Sequence, residues 1–458
     1  MVWDVVAILL SLALLITIAY RGLPVIVFAP LCATLAVVLS GASALPNYTE
    51  SFMAGAASYI KMFFPIFLLG AIFGKLMDAS GAAASIASGI VRAMGPRHAI
   101  AAIVMACGVL TYGGVSLFVV AFAVYPFGAS LFRAANIPKR LLPATIALGA
   151  FTFTMDALPG TPQIQNLIPT RFFGTDIYAA PIVGVVGAAI VLAGGLAWLE
   201  YRRARALAAC EGYGEGHMNE PELEPESRLP RLTLAILPLA VVLATNFILG
   251  RSAFSIASWH SEERLRLAFP TLDIRAAAAT WGLIVALVAG IGVLLAVHHR
   301  RLKGRVTLAL TQSTSGALLA IFNTASEVGF GHVIKSLPGF QVIRGWVTGL
   351  SGHVLISEAV SVNVLAGMTG SASGGLSIAL EVMGTHYLEL ARTQGVSPEL
   401  LHRIASMASG GMDTLPHNGA VITLLTIAGL THRRSYPDIF AITLIKTAAV
   451  FALAVASS

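Results

Sequence analysis

Apolar runs near the roughly 20 residues needed to span a bilayer recur along the whole chain, in two sets of the same order. The first set predicts helices at about 2–20, 24–40 and 62–78, a broken pair at about 98–132, a second broken segment at about 141–172 and an uninterrupted helix at about 178–200. The second set predicts helices at about 231–250, 275–297, 310–335, 341–386, 398–430 and 437–456. Between them, Tyr201 to Arg231 opens on Arg202, Arg203 and Arg205 and continues with Glu211, Glu215, Glu220, Glu222, Glu224 and Glu226 among Gly and Pro. That composition cannot bury a core and predicts a mobile surface loop. The division is an N-terminal transmembrane unit at 1–200, a cytoplasmic linker at 201–230 and a C-terminal transmembrane unit at 231–458.

The two sets also share local motifs at one offset. Met155-Asp156-Ala157-Leu158-Pro159-Gly160-Thr161-Pro162-Gln163 has a counterpart in Met412-Asp413-Thr414-Leu415-Pro416-His417-Asn418-Gly419, 257 residues further on. The same 257-residue spacing relates Phe73-Gly74 to Phe330-Gly331, and Gly113-Gly114-Val115-Ser116 to Gly370-Ser371-Ala372-Ser373. Three matches at one offset indicate a duplicated unit.

Composition agrees with the pattern. The chain is 57% hydrophobic and only 11% charged, with a mean hydropathy of +0.82, against about 25% charged residues in a soluble domain. The fold class is an all-α polytopic membrane protein. The net charge of +7 does not point to nucleic acid, because Lys and Arg sit in short clusters between apolar runs, as orientation signals do. Cys32, Cys107 and Cys210 have neither metal nor disulfide spacing. The first run, Val2 to Tyr20, has Asp4 where a cleavable signal would be basic, so it reads as a retained helix.

The basic clusters set an orientation. If 98–132 and 341–386 are re-entrant hairpins and the other ten segments cross, then Arg21, Lys75, Arg92, Arg97, Arg133, Lys139, Arg140, Arg202, Arg203, Arg205, Arg300, Arg301, Lys303, Arg305, Arg433 and Arg434 share one face, the cytoplasmic one. Each half then has five crossings, an odd number. The halves are inverted-topology repeats, each with a re-entrant hairpin and a broken helix, as in secondary transporters. Both termini would lie outside the cytoplasm.

In hydrocarbon, non-helical backbone survives only where it lines a cavity or is buried in protein. The candidate site is therefore the four breaks, brought towards the midplane by inverted symmetry. Helix N-termini there suit an anion. Gly113, Gly114 and Gly370 allow close backbone approach, while Ser116, Thr161, Gln163, Ser371, Ser373 and Asn418 offer hydroxyl and amide groups to a substrate. His417 is a further substrate ligand or a structural hydrogen-bonder. Glycine in membrane helices also serves plain helix packing.

Asp156 and Asp413, each three residues before a break proline, cost roughly 2.5–3.5 kcal/mol apiece at a helix centre and are the candidate proton-coupling residues. Desolvation and an arriving substrate anion both disfavour the charged carboxylate, so substrate binding promotes protonation, the linkage a symporter needs. Glu327 and Glu358 are buried carriers or polar anchors. Lys61, Lys75 and Lys335 snorkel near helix ends, and Arg171 follows the first break closely enough to meet a carboxylate. No phosphate-binding loop, metalloprotease helix or nucleophile elbow is present. The motifs require no cofactor and no metal, and an ATP-driven pump or a hydrolase is not indicated.

Gly70-Ala71-Ile72-Phe73-Gly74-Lys75-Leu76, Tyr112-Gly113-Gly114, Leu158-Pro159-Gly160-Thr161-Pro162, Gly370-Ser371-Ala372-Ser373, Ser397-Pro398-Glu399-Leu400 and His417-Asn418-Gly419 together resemble the gluconate:proton symporter (GntP) family of bacterial permeases, within the ion transporter superfamily. The resemblance covers nearly the whole chain. It implies carboxylate uptake with protons across the bacterial inner membrane, and an oligomeric, dimeric scaffold with moving transport domains. The chain departs from the gluconate-type pattern at two places. Tyr112 is followed by Gly113 rather than Glu, and the first break lacks the family's His-rich character. Lost donors and acceptors argue for a smaller, less hydroxylated acid, with 3-hydroxybutyrate leading within the family.

The expected function is proton-coupled import of a small hydroxy-monocarboxylate. Its rivals are a sodium-coupled dicarboxylate carrier and an intramembrane enzyme that uses Asp156 and Asp413 as an acid pair.

Overall fold

The structure is a computed structural model that describes residues 2–21, 23–221, 228–250, 262–270, 274–349, 352–416 and 418–458. Every regular element among these residues is helical. Seven helices are long and apolar enough to cross a membrane, or eight if the bent pair Ala82–Met94 and Pro96–Tyr112 forms one span. The shortfall from ten predicted crossings has a local cause: the broken segments and several flanking helices are shorter than a full span.

The helices form two packed groups. Met53–Ala79 and Val306–Ser336 lie along each other and gather Val25–Leu39 and Ile274–Val297. Leu232–Gly250 packs on Ile274–Val297, and Val2–Tyr20 on Val25–Leu39. The second group holds the hairpins and breaks. Ala99–Tyr112 packs on Leu142–Ala150, Ile164–Phe173 on Pro398–Gly410, and Pro181–Ala208 on His432–Ala456. Val306–Ser336 meets this group mainly through Ala372–Gln394.

Both segments predicted as hairpins hold two helices packed against each other around a turn, with one boundary corrected. The first is Ala99–Tyr112 and Leu117–Ala134, turning at 113–116. The second is Val354–Thr369 and Ala372–Gln394. Its predicted range of 341–386 began too early, because Phe340–Gly349 is a separate short helix. That helix corresponds at the 257-residue offset to Ala82–Met94, a helix absent from the prediction. Each is too short to register as a span by itself, and the first turns by 102° into the helix that follows it.

The linker corrects the expectation of a mobile loop. Pro181–Ala208 continues through the predicted boundary at 200, because Glu200-Tyr201-Arg202-Arg203-Ala204-Arg205-Ala206 is a good helix-forming sequence. Beyond it the chain docks on the same end of the molecule. Arg140 donates to Glu211 at 2.7 and 2.8 Å, and Lys139 donates to Glu220 at 2.9 Å. Arg133 also pairs with Glu220. Asn219 donates to the Thr426 carbonyl at 2.9 Å. Composition counted missing apolar residues, whereas the acidic side chains find the cationic helix ends. Glu222, Glu224 and Glu226 lie outside the described residues. The basic clusters meet at this end: Arg202 and Arg140 approach buried Asp438 at 2.7 and 3.1 Å.

This docking has a pH signature. The Arg140 guanidinium, by its hydrogen bonds, holds the Glu211 carboxyl below its ordinary value. A lowered acid contributes stability that is fully present above its unfolded value and lost as pH falls through the folded one. Cys210 is exposed while Cys32 and Cys107 are buried, so a maleimide fluorophore reports on the neighbouring strap. Its anisotropy falls on acidification in the wild type. In Glu211→Gln that transition is absent.

Candidate functional site

The two breaks form where the sequence denies the helix its donors or its φ range. Leu142–Ala150 stops at Phe151, Phe153–Asp156 makes a single turn, and after Pro159, Gly160 and Pro162 the chain resumes as Ile164–Phe173. Gly160 holds φ +82, a region closed to side-chain-bearing residues at little cost. In the second half Pro398–Gly410 passes through a 3-10 turn, Gly411–Thr414, and past Pro416 into Gly419–Ala428. Asn418 caps that last helix through the Ala420 N–H at 2.7 Å.

Three of the four breaks converge on Asp413. Its Oδ2 accepts from Gln165 at 3.0 Å, and its Oδ1 accepts from the Ala372 N–H and from Asn418, both at 3.1 Å. Asn418 also donates to the Gly370 carbonyl at 2.9 Å. The first break, the second break and the second hairpin tip are thereby one network. The first tip joins through the first break: Gln163 donates to the Thr111 carbonyl at 2.7 Å, and Tyr112 donates to the Pro159 carbonyl at 2.8 Å.

Asp156 occupies a different position from its repeat mate. Its carboxylate pairs with the Lys446 ammonium, both side chains fully buried, and its Oδ1 has no partner. A Cβ on Gly410 would sit 2.7 Å from Asp156 Cγ, so only glycine admits the pair. Arg403, also fully buried, ties the first break to the helix beneath it. It donates to the carbonyls of Asp156 at 3.0 Å and Ala179 at 2.8 Å, and to Asn166 Oδ1 at 2.9 Å. Asn166 in turn donates to the carbonyls of Thr161 and Ile177, at 3.0 and 2.9 Å. Buried acceptors of a non-helical segment are thus satisfied by side chains.

The remaining candidates sort by environment. Ser371 caps Ala372–Gln394 by accepting from the Gly374 N–H at 3.0 Å and lies 3.4 Å from Ser373 Oγ. Thr161 is fully buried with its hydroxyl unpartnered, and Ser116 precedes Leu117–Ala134 without capping it. Gly370 turns the second tip at φ +65, in the left-handed region that favours glycine. Gly114 turns at φ +92 against Pro162. Gly113 instead faces Leu239, 2.6 Å from a would-be Cβ to its Cγ, so its small size serves packing. His417 lies outside the described residues. Arg171 reaches Ser58 at 3.3 Å and Lys335 the Glu381 carbonyl at 2.8 Å, both away from the breaks.

Sequence reading passed over Lys446, Arg403, Asn166 and Gln165. Lys446 carried a readable signal, a lysine in the middle of the apolar run 437–456 rather than at its end. Asn166 and Gln165 carried none, because amides in a short helix look the same whether they bind backbone or face water.

A broken-helix site enclosed by membrane helices defines a multi-pass membrane transporter. Residues 1–336 match the GntP family permeases. The "Uncharacterized transporter YxjC" of Bacillus subtilis (strain 168) is 52% identical over 466 residues, covering 98% of each chain. A solved structure, described as "Structure and Function of Neisseria gonorrhoeae MtrF Illuminates a Class of Antimetabolite Efflux Pumps", is similar at a TM-score of 0.55 and 14% identity, covering 91% of this chain and 85% of that one. At that identity the likeness is of fold alone. The chain belongs to the GntP permease family: it is a multi-pass transporter of the bacterial plasma membrane and not an enzyme.

Proposed function

We propose that the protein imports a small hydroxy-monocarboxylate, of the size of 3-hydroxybutyrate, together with protons. The observation that supports it best is the convergence of both breaks and the second tip on Asp413. Beside it stand the N-terminus of Ala372–Gln394 and the Ser371 and Ser373 hydroxyls. A helix N-terminus and hydroxyls suit a carboxylate and a single hydroxyl.

Proton rather than sodium coupling is favoured by the Asp156 carboxylate, which already holds the Lys446 ammonium and would have to release it to bind a metal cation. Asp156 and Asp413 are the coupling carboxylates in this reading. The matched offsets of hairpins, breaks and the short helices before the hairpins support two inverted repeats with units at 1–200 and 231–458. The working assembly is a dimer with the Val306–Ser336 group as scaffold.

Counterflow and pH-jump uptake of labelled 3-hydroxybutyrate in proteoliposomes test the proposal. An imposed proton gradient drives accumulation and an imposed sodium gradient does not. Asp156→Asn and Asp413→Asn retain exchange, and at least one loses uphill uptake. Sodium-driven accumulation would overturn the coupling. Proton-driven accumulation in both variants would move the coupled proton to other groups.

A further inference from the structure

Glu327 is one of the buried carboxylates that stand outside the break network. Glu327 lies on Val306–Ser336, is 4% exposed, and its Oε2 has no partner. Among the described residues no Lys, Arg or His pairs with it. It faces the second hairpin: a Cβ on Gly374 would sit 2.5 Å from Glu327 Cδ and 3.0 Å from Ser371 Oγ. The carboxyl group therefore abuts the first turn of Ala372–Gln394, across the seam between the two helix groups. Gly374 is what admits it.

The surroundings are hydroxyls rather than cations. Ser371 and Ser373 stand at the helix start, and Ser377 donates to the Ser373 carbonyl at 2.7 Å. From Met53–Ala79, the buried Tyr59 reaches the same place, its hydroxyl near Ser377, Thr324 and Glu327. The other titratable groups on the packed elements lie elsewhere. Glu381 is engaged by His332 at 3.2 Å and Lys335 at 3.8 Å. Lys75 pairs with Asp78, and Cys32 on Val25–Leu39 is a buried thiol.

We propose that Glu327 and Tyr59 form a proton-binding site on the scaffold side of this seam. An isolated carboxylate in such a place is destabilised by desolvation, and the usual resolution is to bind a proton. The neutral acid then has hydroxyl oxygens within its surroundings to donate to. When the proton leaves, the N-terminal turn of the 23-residue helix Ala372–Gln394 favours the negative charge, and the neighbouring hydroxyls can donate to it. Charge on Glu327 holds the second hairpin to the scaffold, and protonation loosens that hold. The site depends neither on the substrate nor on which gradient drives transport.

Infrared difference spectroscopy of the protein in lipid bilayers, titrated in pH without substrate, tests this directly. The C=O stretch of a protonated carboxylic acid titrates in the wild type. One component of it is missing in Glu327→Gln and persists in Asp156→Asn, Asp413→Asn and Glu358→Gln. Tyr59→Phe shifts that component in frequency by removing a hydroxyl from beside the acid. Should Glu327→Gln not accumulate in membranes, Glu327→Asp serves instead and moves the component. The proposal is overturned if the band is the same with and without Glu327, or if sodium chloride at constant pH abolishes the Glu327 component, which would make this a metal-cation site.

Discussion

Replacing Lys446 with methionine abolishes uptake and lowers the stability of the folded protein by about 3–5 kcal/mol, the range for removing one member of a buried ion pair. The size follows from what is left behind. Asp156 loses the ammonium, already has an Oδ1 without a partner, and is left to carry an uncompensated buried charge or to take up a proton. Arg403 cannot take over, because its guanidinium is committed to the carbonyls of Asp156, Ala179 and Ile177 and to Asn166. The double variant Lys446→Met with Asp156→Leu separates stability from function. Replacing both members of a buried pair with apolar groups is near neutral or stabilising, so thermal unfolding in detergent returns towards wild type. Proton-driven uptake does not return. If Lys446→Met alone unfolds and transports as the wild type does, the ion pair is not part of the working protein.

Arg403→Lys is expected to be destabilising as well, although it keeps the charge. The planar fork of arginine meets several acceptors at once, and a lysine ammonium cannot reproduce that geometry. The carbonyls at 156, 177 and 179 and the amide oxygen of Asn166 face Arg403 in a region where water is excluded. The Asp156 carbonyl keeps Ser406 and the Ile177 carbonyl keeps Asn166 as donors, so the Ala179 carbonyl is the acceptor most exposed to the change. A buried acceptor left without a donor costs about 1–3 kcal/mol, and a loss of that size is expected. Unlike Lys446, this residue touches backbone rather than a carboxylate. Stability therefore falls first, and residual uptake per folded molecule stays proton-driven. Wild-type thermal stability in Arg403→Lys would contradict the role assigned to the fork.

Much of the architecture was legible before any coordinates. The apolar runs predicted the membrane class. The repeated Met-Asp-x-Leu-Pro and glycine-serine motifs located the places where the helices break, since proline removes a donor and clashes with the preceding turn wherever it occurs. Less visible were Ala82–Met94 and Phe340–Gly349, because a short amphipathic helix leading into a hairpin carries too little apolar length to register as a span. The docked linker was missed because its stability comes from charges supplied by distant helix ends, Arg133, Lys139 and Arg140.

What the sequence alone determined is therefore the set of local properties: which segments are apolar enough for the bilayer, where the backbone must leave the helix, and that two aspartates sit at those places. Only the tertiary structure decided which groups meet them. Asp156 and Asp413 have the same sequence context, yet one faces an ammonium from 290 residues away and the other faces a helix N-terminus and two amides. A buried charge is governed by its nearest partner. Those partners arrive from elements far away along the chain, Lys446 to Asp156 and Gln165 to Asp413, so packing and not local pattern sets the electrostatics of the site.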